Sequence, residues 1–395
     1  MRGKIAFSFL LTFFCIAWMG RTQEPSNEIW GAPCLQKRAE ILWTKVLCKE
    51  PGRYIGWPTV CCRKNGELLV VFSGDRDGHV CPFGKVQMVK SEDQGKTWSS
   101  AVNVCNTPLD DRDAGIVELA NGDLVVSWFT SLAYTSLIRD RAKLKQGSPL
   151  FYWWLHDEKI PAKGKKEGFG YFTVRSSDGG ATWEPKVRSP GTAPHGPLVL
   201  KDGRLLFVGI TYSGHFGIHS GPTNEISVSE SRDHGRSWQR LGAISLPAGE
   251  KIGDFHEPHA TETVDGRIVA QLRYHGNGGN LWQSESGDGG TTWAVAHPTT
   301  LAGLPPHLIR LRDGTLLSVY GRRFGAFGEY ACLSDDGGRT WDAANEIKLA
   351  GHFNNDLGYP ASAELPDGSL FTVYYQAEKA GEKTCLMGTR WRVVK

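Results

Sequence analysis

The chain has little of three things, and each shortage narrows what it can be. Only one long, mostly apolar stretch occurs, from Ile5 to Trp18, and it is shorter than the roughly 20 apolar residues a membrane span requires. No later segment could cross a bilayer. Neither charge is in surplus: 45 Lys+Arg stand against 42 Asp+Glu, and without Arg2, Lys4 and Arg21 the balance is 42 against 42. Nucleic acid and anionic membrane surfaces are therefore not the expected partners. No CxxC pair is present, and the adjacent Cys61-Cys62 cannot chelate one ion with the usual geometry, so no zinc site or other metal is expected. What is there in quantity is 48 Gly and 14 Trp, with 40% hydrophobic and 22% charged residues, which excludes a disordered chain, a collagen and a coiled coil.

The first residues combine a positive head (Arg2, Lys4), the apolar stretch and a polar exit at Gly20-Arg-Thr-Gln23. This is the pattern of a secretory signal peptide over residues 1–23, with an uncleaved anchor as the alternative, and it places the mature chain in a secreted or periplasmic setting. Eight cysteines then remain, six of them between Cys34 and Cys105. In an oxidising compartment, bridges would mainly tie down the N-terminal quarter, with pairing left open.

Two repeats set the architecture. An octapeptide with Ser, Asp, Gly, Ser/Thr and Trp in fixed places occurs five times, at Ser91–Trp98, Ser176–Trp183, Ser231–Trp238, Ser286–Trp293 and Ser334–Trp341. Its chemistry is that of a tight hairpin: Asp accepts backbone N–H groups, Gly supplies a positive φ, and Trp plugs the gap between neighbouring sheets. The five Asp are scaffold. Interleaved with these, an Asn/Asp-Gly turn followed by an apolar strand occurs six times, with glycines at 66, 122, 203, 266, 314 and 368. Such turns are the strongest short hairpin signal. Intervals of 56, 81, 63, 48 and 54 residues predict six four-stranded units, an all-β six-bladed β-propeller with Asp-box hairpins over 54–395, preceded by a segment at 24–53. The long interval holds an insertion at about 131–168, with a helix-like basic stretch Leu137–Lys145 and the aromatic Phe151–Trp154, a possible lid over one blade.

In a propeller, polar residues flanking these strands converge on one end of the central channel. Here they are Asp75-Arg76-Asp77-Gly78-His79, Asp110–Asp113, His195, His256-Glu257-Pro258-His259, Arg273-Tyr274-His275, His307, Arg322-Arg323, His352, Asp356 and Tyr359. A pocket rich in Arg, His and carboxylates suits an anionic sugar.

Five Asp boxes with six Asp/Asn-Gly strands resemble the exo-sialidases and their wider superfamily of six-bladed propellers, from about Tyr54 to Arg392. The resemblance implies a glycosidase acting on a terminal acidic sugar by a retaining route, without a cofactor. Those enzymes use a Tyr nucleophile with a Glu base, because the substrate's own carboxylate would repel an attacking carboxylate. Tyr359 would be the nucleophile, Glu257 its base, and Arg273 a carboxylate-binding residue. Arg76 resembles a pocket Arg, and Asp77, with His79 as an unusual substitute, would be the acid, with Asp111 or Asp113 as the other candidate. His79, Arg112, His195, His259 and His307 would complete the substrate contacts. The chain also departs from the pattern. Gly56-Trp57-Pro58 stands where the family has Arg-Ile-Pro, and the Gly325–Glu329 loop lacks the expected third clamp Arg, leaving Arg322 or Arg323 to reach in. Those losses keep two alternatives open: a uronate-directed lyase on the same scaffold, or a glycan-binding propeller without catalysis.

Overall fold

The computed structural model describes residues 34–211, 225–276 and 278–394. The leader expected over 1–23 lies outside the described residues. Six antiparallel sheets are arranged as a six-bladed β-propeller. Their inner strands are Tyr54–Cys62, Asp110–Glu118, Leu198–Val199, Phe255–Glu262, Pro306–Arg310 and Leu357–Glu364, in blades 1 to 6. Each Asn/Asp-Gly turn joins an inner strand to the second strand of its blade. Gly66 sits at φ 87°, and the Asn65 carboxamide accepts the Glu67 N–H at 3.0 Å. The same Asx geometry recurs at Asp202, Asp313 and Asp367.

The Asp boxes join third to fourth strands. In each, the Asp carboxylate accepts the backbone N–H and hydroxyl of the residue four positions on, as Asp93 does from Thr97 at 2.8 and 2.6 Å. Those bonds hold the Asp93 carboxyl down at about 2. The box tryptophans reach back to the preceding blade: Trp98 packs on Phe371 at 5.5 Å, Trp238 donates to Thr173, and Trp341 donates to Gln283. Five boxes serve six blades for a topological reason. The fourth strand of blade 6 is Ala39–Cys48, which pairs with Thr384–Val393, so chain start and end close the ring together and no third-to-fourth hairpin exists there. The propeller thus begins earlier than Tyr54, within the segment expected to stand apart.

Alternate blades are also stapled at the turn end. Glu118, Glu262 and Glu364, near the ends of inner strands 2, 4 and 6, accept the backbone N–H of Lys64, Lys201 and Arg312 in the preceding blade.

The insertion follows the second strand of blade 2. The helix falls on Pro149–Glu158 and not on Leu137–Lys145, which holds only a short 3₁₀ turn. Ser148 caps it by accepting the Phe151 N–H, with Pro149 at its first position, a start signal that the basic stretch lacks. A second helix, Ala162–Gly168, follows. Trp153, Tyr134 and Ile138 pack around Cys81 of blade 1, so the insertion bridges blades 1 and 2. The expected disulfides are not formed among the seven cysteines whose side chains are described. Cys61 and Cys62 are successive residues of a strand and face opposite ways. Burial pushes these thiols up, to about 12 at Cys61, Cys105 and Cys385.

Candidate active site

Four inner strands break register at the same height near the axis. The interruptions lie between Gly56 and Thr59, Arg112 and Gly115, His256 and His259, and Gly358 and Ala361. At each, one residue other than glycine adopts a left-handed conformation: Trp57 (φ 54°), Asp113 (52°), Glu257 (45°) and Tyr359 (53°). Proline follows in three of the four, and having no N–H it cannot rejoin the ladder at that point. Left-handed backbone costs about 1–2 kcal/mol per residue, so four such bulges at one level mark a place where side-chain direction outweighs backbone comfort.

Asp113, Glu257 and Tyr359, from blades 2, 4 and 6, line one cavity of about 270 Å³. The Tyr359 hydroxyl donates to Glu257 Oε1, while Arg273 donates to Glu257 Oε2 and, at 3.2 Å, to the Tyr359 oxygen. Arg112, Arg273 and Arg323 supply positive charge, and His79, His256 and His275 stand at the wall. Burial dominates the electrostatics. It drives Tyr359 well above its ordinary value, with the Glu257 charge adding to the shift, so no phenolate stands there at rest. At Glu257 burial pushes upward, yet the Arg273 charge and the bonds from Tyr359 and Arg273 together hold the carboxyl below its ordinary value. Asp113 is pushed up to about 7, burial and the nearby Glu257 outweighing Arg112. Burial with Arg112 and Arg76 holds His79 near 3, and His275 is held near 4, so both are neutral imidazoles. The cavity therefore joins a phenol already bonded to an ionised base, a carboxyl that can carry a proton near neutrality, and three guanidinium groups.

Residues 152–381 match the family model described as BNR repeat-like domain. The chain belongs to that family. Its BNR propeller shares its fold with solved structures of low identity. A protein of unknown function from Dyadobacter fermentans DSM 18053 superposes with a TM-score of 0.71 at 23% identity, covering 90% of this chain and 99% of that one. The K499G mutant of NanB sialidase from Streptococcus pneumoniae gives 0.59 at 15%, over 89% and 70% of the two chains. Penicillium chrysogenum α-L-arabinanase complexed with arabinobiose gives 0.55 at 13%, over 87% and 97%. No curated protein matches the sequence.

Within the BNR propeller, Tyr359, Glu257, Asp113, Arg273, Arg112 and His79 line one cavity, and Asp77, Arg76, Arg322, His195, His259 and His307 lie outside it. Asp77 lies outside the cavity: it pairs with Arg53 and accepts the Trp153 indole N–H at 2.6 Å, anchoring the insertion. Arg76 is fully buried against Asp110 and donates to the His79 carbonyl, behind the wall. Arg322 turns away to Glu346 and stacks on Tyr330 at 4.0 Å, and its neighbour Arg323 enters instead. Arg322 is the last residue of its strand and Arg323 the first beyond it, and the two side chains part there.

His195, His259 and His307 do converge, but below the pocket, at the inner end of a 440 Å³ cavity opening on the opposite mouth of the channel. His259 and His307 stack at 4.4 Å, and His195 meets His307 edge-on at 4.9 Å. The Leu308 N–H donates to His259 Nδ1 and the Ser362 N–H to His307 Nδ1, which puts the ring proton of each neutral imidazole on Nε2 and removes that nitrogen as a metal ligand. Among the described residues no cluster fit to hold a metal is found. Phe129, His256 and His275 line the cavity without having been assigned to it, Arg323 enters as one of the two alternatives for the missing clamp residue, and Trp57 packs behind the wall against Arg112, His79 and Tyr359. His256, His275 and Arg323 stood among the axis residues, whereas nothing local marks Phe129, which reaches the cavity as the cross-strand partner of Arg112.

Proposed function

We propose that this protein is an exported retaining glycosidase that removes a terminal sugar acid from a glycan, with Tyr359 as nucleophile. The observation that carries the reading is the contact of Tyr359 with Glu257 and Arg273 on the floor of an arginine-lined pocket. In the first half-reaction the phenol oxygen attacks the anomeric carbon as Glu257 takes its proton. The bond to the leaving oxygen breaks, and Asp113 protonates that oxygen. In the second half, water attacks the same carbon, Asp113 takes the water's proton, and the phenolate leaves and recovers its proton from Glu257. Arg273 steadies the charge as it moves between Glu257 and the phenolate oxygen. Arg112 and Arg323 bind the substrate's carboxylate, and neutral His275 can donate to or accept from ring hydroxyls. The signal-like N-terminus supports export, and solved sialidases on this fold favour a sugar acid over a neutral sugar.

The test is turnover of fluorogenic α-sialoside and β-glucuronide by the mature chain, beside Tyr359→Phe and Glu257→Gln. Each variant is expected to lose on the order of 10³-fold or more in kcat while keeping the wild-type melting temperature within a few degrees. Full activity in either variant would remove the reading. An unsaturated product absorbing in the near ultraviolet would replace hydrolysis with elimination.

A further inference from the structure

Trp57 occupies in blade 1 the bulge from which blades 2, 4 and 6 present Asp113, Glu257 and Tyr359, yet it offers no acid-base group and is only 1% exposed. Two guanidinium groups lie over its ring, Arg76 at 4.9 Å and Arg112 at 4.4 Å. Arg76 is neutralised by Asp110 at 2.6 Å. Arg112 has no such partner. Its one ion pair among the described residues is Asp113 at 3.9 Å, its Nε is buried without a hydrogen bond, and an outer nitrogen reaches only His79 Nε2 at 3.4 Å. Arginine can only donate, so His79 Nε2 accepts. The neutral ring's proton is then on Nδ1, facing the Tyr54 hydroxyl at 3.4 Å, which itself donates to Asp356 at 2.7 Å. The other two pocket arginines are already engaged, Arg273 by Glu257 and Tyr359, and Arg323 by the Leu357 carbonyl and the Tyr375 hydroxyl.

We propose that Trp57 is a positioning residue that holds Arg112 as the pocket's carboxylate-gripping arm, with His79 fixing its outer nitrogen. A salt bridge would use the guanidinium N–H groups to place it. An aromatic face places it through the ring and leaves those donors for a planar anion. The ligand chemistry is therefore a sugar carboxylate, and Trp57 acts on its affinity more than on the chemical step.

Only the kinetic arm of the test rests on the glycosidase reading. Free N-acetylneuraminate and D-glucuronate are titrated calorimetrically into wild type, Trp57→Leu, Trp57→Phe and Arg112→Met, and kcat and KM are measured on whichever fluorogenic sugar acid the wild type cleaves. Trp57→Leu and Arg112→Met should weaken binding of the preferred acid about 10-fold or more and raise KM alike, and in Trp57→Leu kcat should stay within about 3-fold. Trp57→Phe, keeping an aromatic face, should recover most of the loss. Binding without turnover would sink the glycosidase reading and leave this one standing. Wild-type affinity in a folded Trp57→Leu, no binding of either acid by wild type, or a fall in kcat at unchanged KM would overturn the proposal. Should Trp57→Leu fail to fold, wild-type affinity in Arg112→Met would overturn it equally.

Discussion

Tyr359, Glu257 and Asp113 each depend on burial for what they can do. A buried phenol cannot ionise unaided, so it needs Glu257, and Glu257 stays ionised because the Arg273 charge and the bonds from Tyr359 and Arg273 offset its burial. Asp113, held near 7, can donate a proton in mildly acidic solution and loses it above neutrality. The expected profile of kcat/KM is a plateau below about pH 7 and a fall above it. Asp113→Asn should remove that alkaline fall along with about 10²–10⁴-fold in rate, as a pH series on both proteins would show. A profile rising through pH 8 would exclude Asp113 as the acid. At this scale the sequence was informative where a residue lies next to a repeat and uninformative where a distant one intervenes. Asp77 reads as an equally good acid until Trp153, 76 positions on, donates to it. Arg322 and Arg323 are adjacent and chemically alike, so only their distant partners separate them, Glu346 for the one and the Leu357 carbonyl and Tyr375 for the other.

Strands and turns explain how single residues come to share one level. The bulges of inner strands 1, 2, 4 and 6 turn one side chain each toward the axis, and this requires neighbouring blades to approach closely there. Gly115 in blade 2 meets the His195-Gly196 turn of blade 3 so tightly that an added Cβ would lie 2.3 Å from the Gly196 nitrogen. Backbone cannot yield as a flexible side chain does. Gly115→Ala is therefore expected to cost about 2–3 kcal/mol, read as a lowered midpoint in urea unfolding with unchanged slope. A midpoint equal to wild type would show that the two blades are not in contact at this point. The elements themselves were legible, because every hairpin carries its own turn chemistry in consecutive residues. The closing strand was not: Ala39–Cys48 has neither turn motif nor Asp box, and its partner lies over 300 residues away. The helix of the insertion lies at Pro149–Glu158 because Ser148 and Pro149 supply a start signal that the basic stretch Leu137–Lys145 lacks.

Taken whole, the propeller encloses two sets of groups whose burial pulls stability in opposite directions with pH. His259 is held near 3, and His195 and His307 lie well below their ordinary value. His79 and His275 are depressed as well. The unfolded chain binds protons at these rings below about pH 6.5 and the folded chain does not, so stability falls as pH drops from there. Asp111 and Asp113 near 7 and Glu329 near 8 act the other way. The unfolded carboxylates ionise from about pH 4 and the folded ones resist, so stability falls as pH rises toward 8. Burial also depresses His256 and raises Glu50, so six imidazoles outnumber four carboxyls between pH 4 and 6.5, and above 6.5 only the carboxyls remain. Thermal melts from pH 4 to 9 should therefore peak between about pH 6 and 7. A melting temperature that climbs steadily to pH 9 would contradict neutral buried histidines opposed by protonated carboxyls.

Tyr359 as nucleophile is the claim on which the functional account turns. The most direct measurement is peptide mass mapping after reaction with a sugar-acid fluoride that carries a second fluorine beside the anomeric carbon, so that the glycosyl-enzyme forms quickly and hydrolyses slowly. The account predicts one glycosyl adduct, on the peptide containing Tyr359, absent from Tyr359→Phe. An adduct on Glu257 or Asp113, or release of fluoride with no adduct, would contradict it.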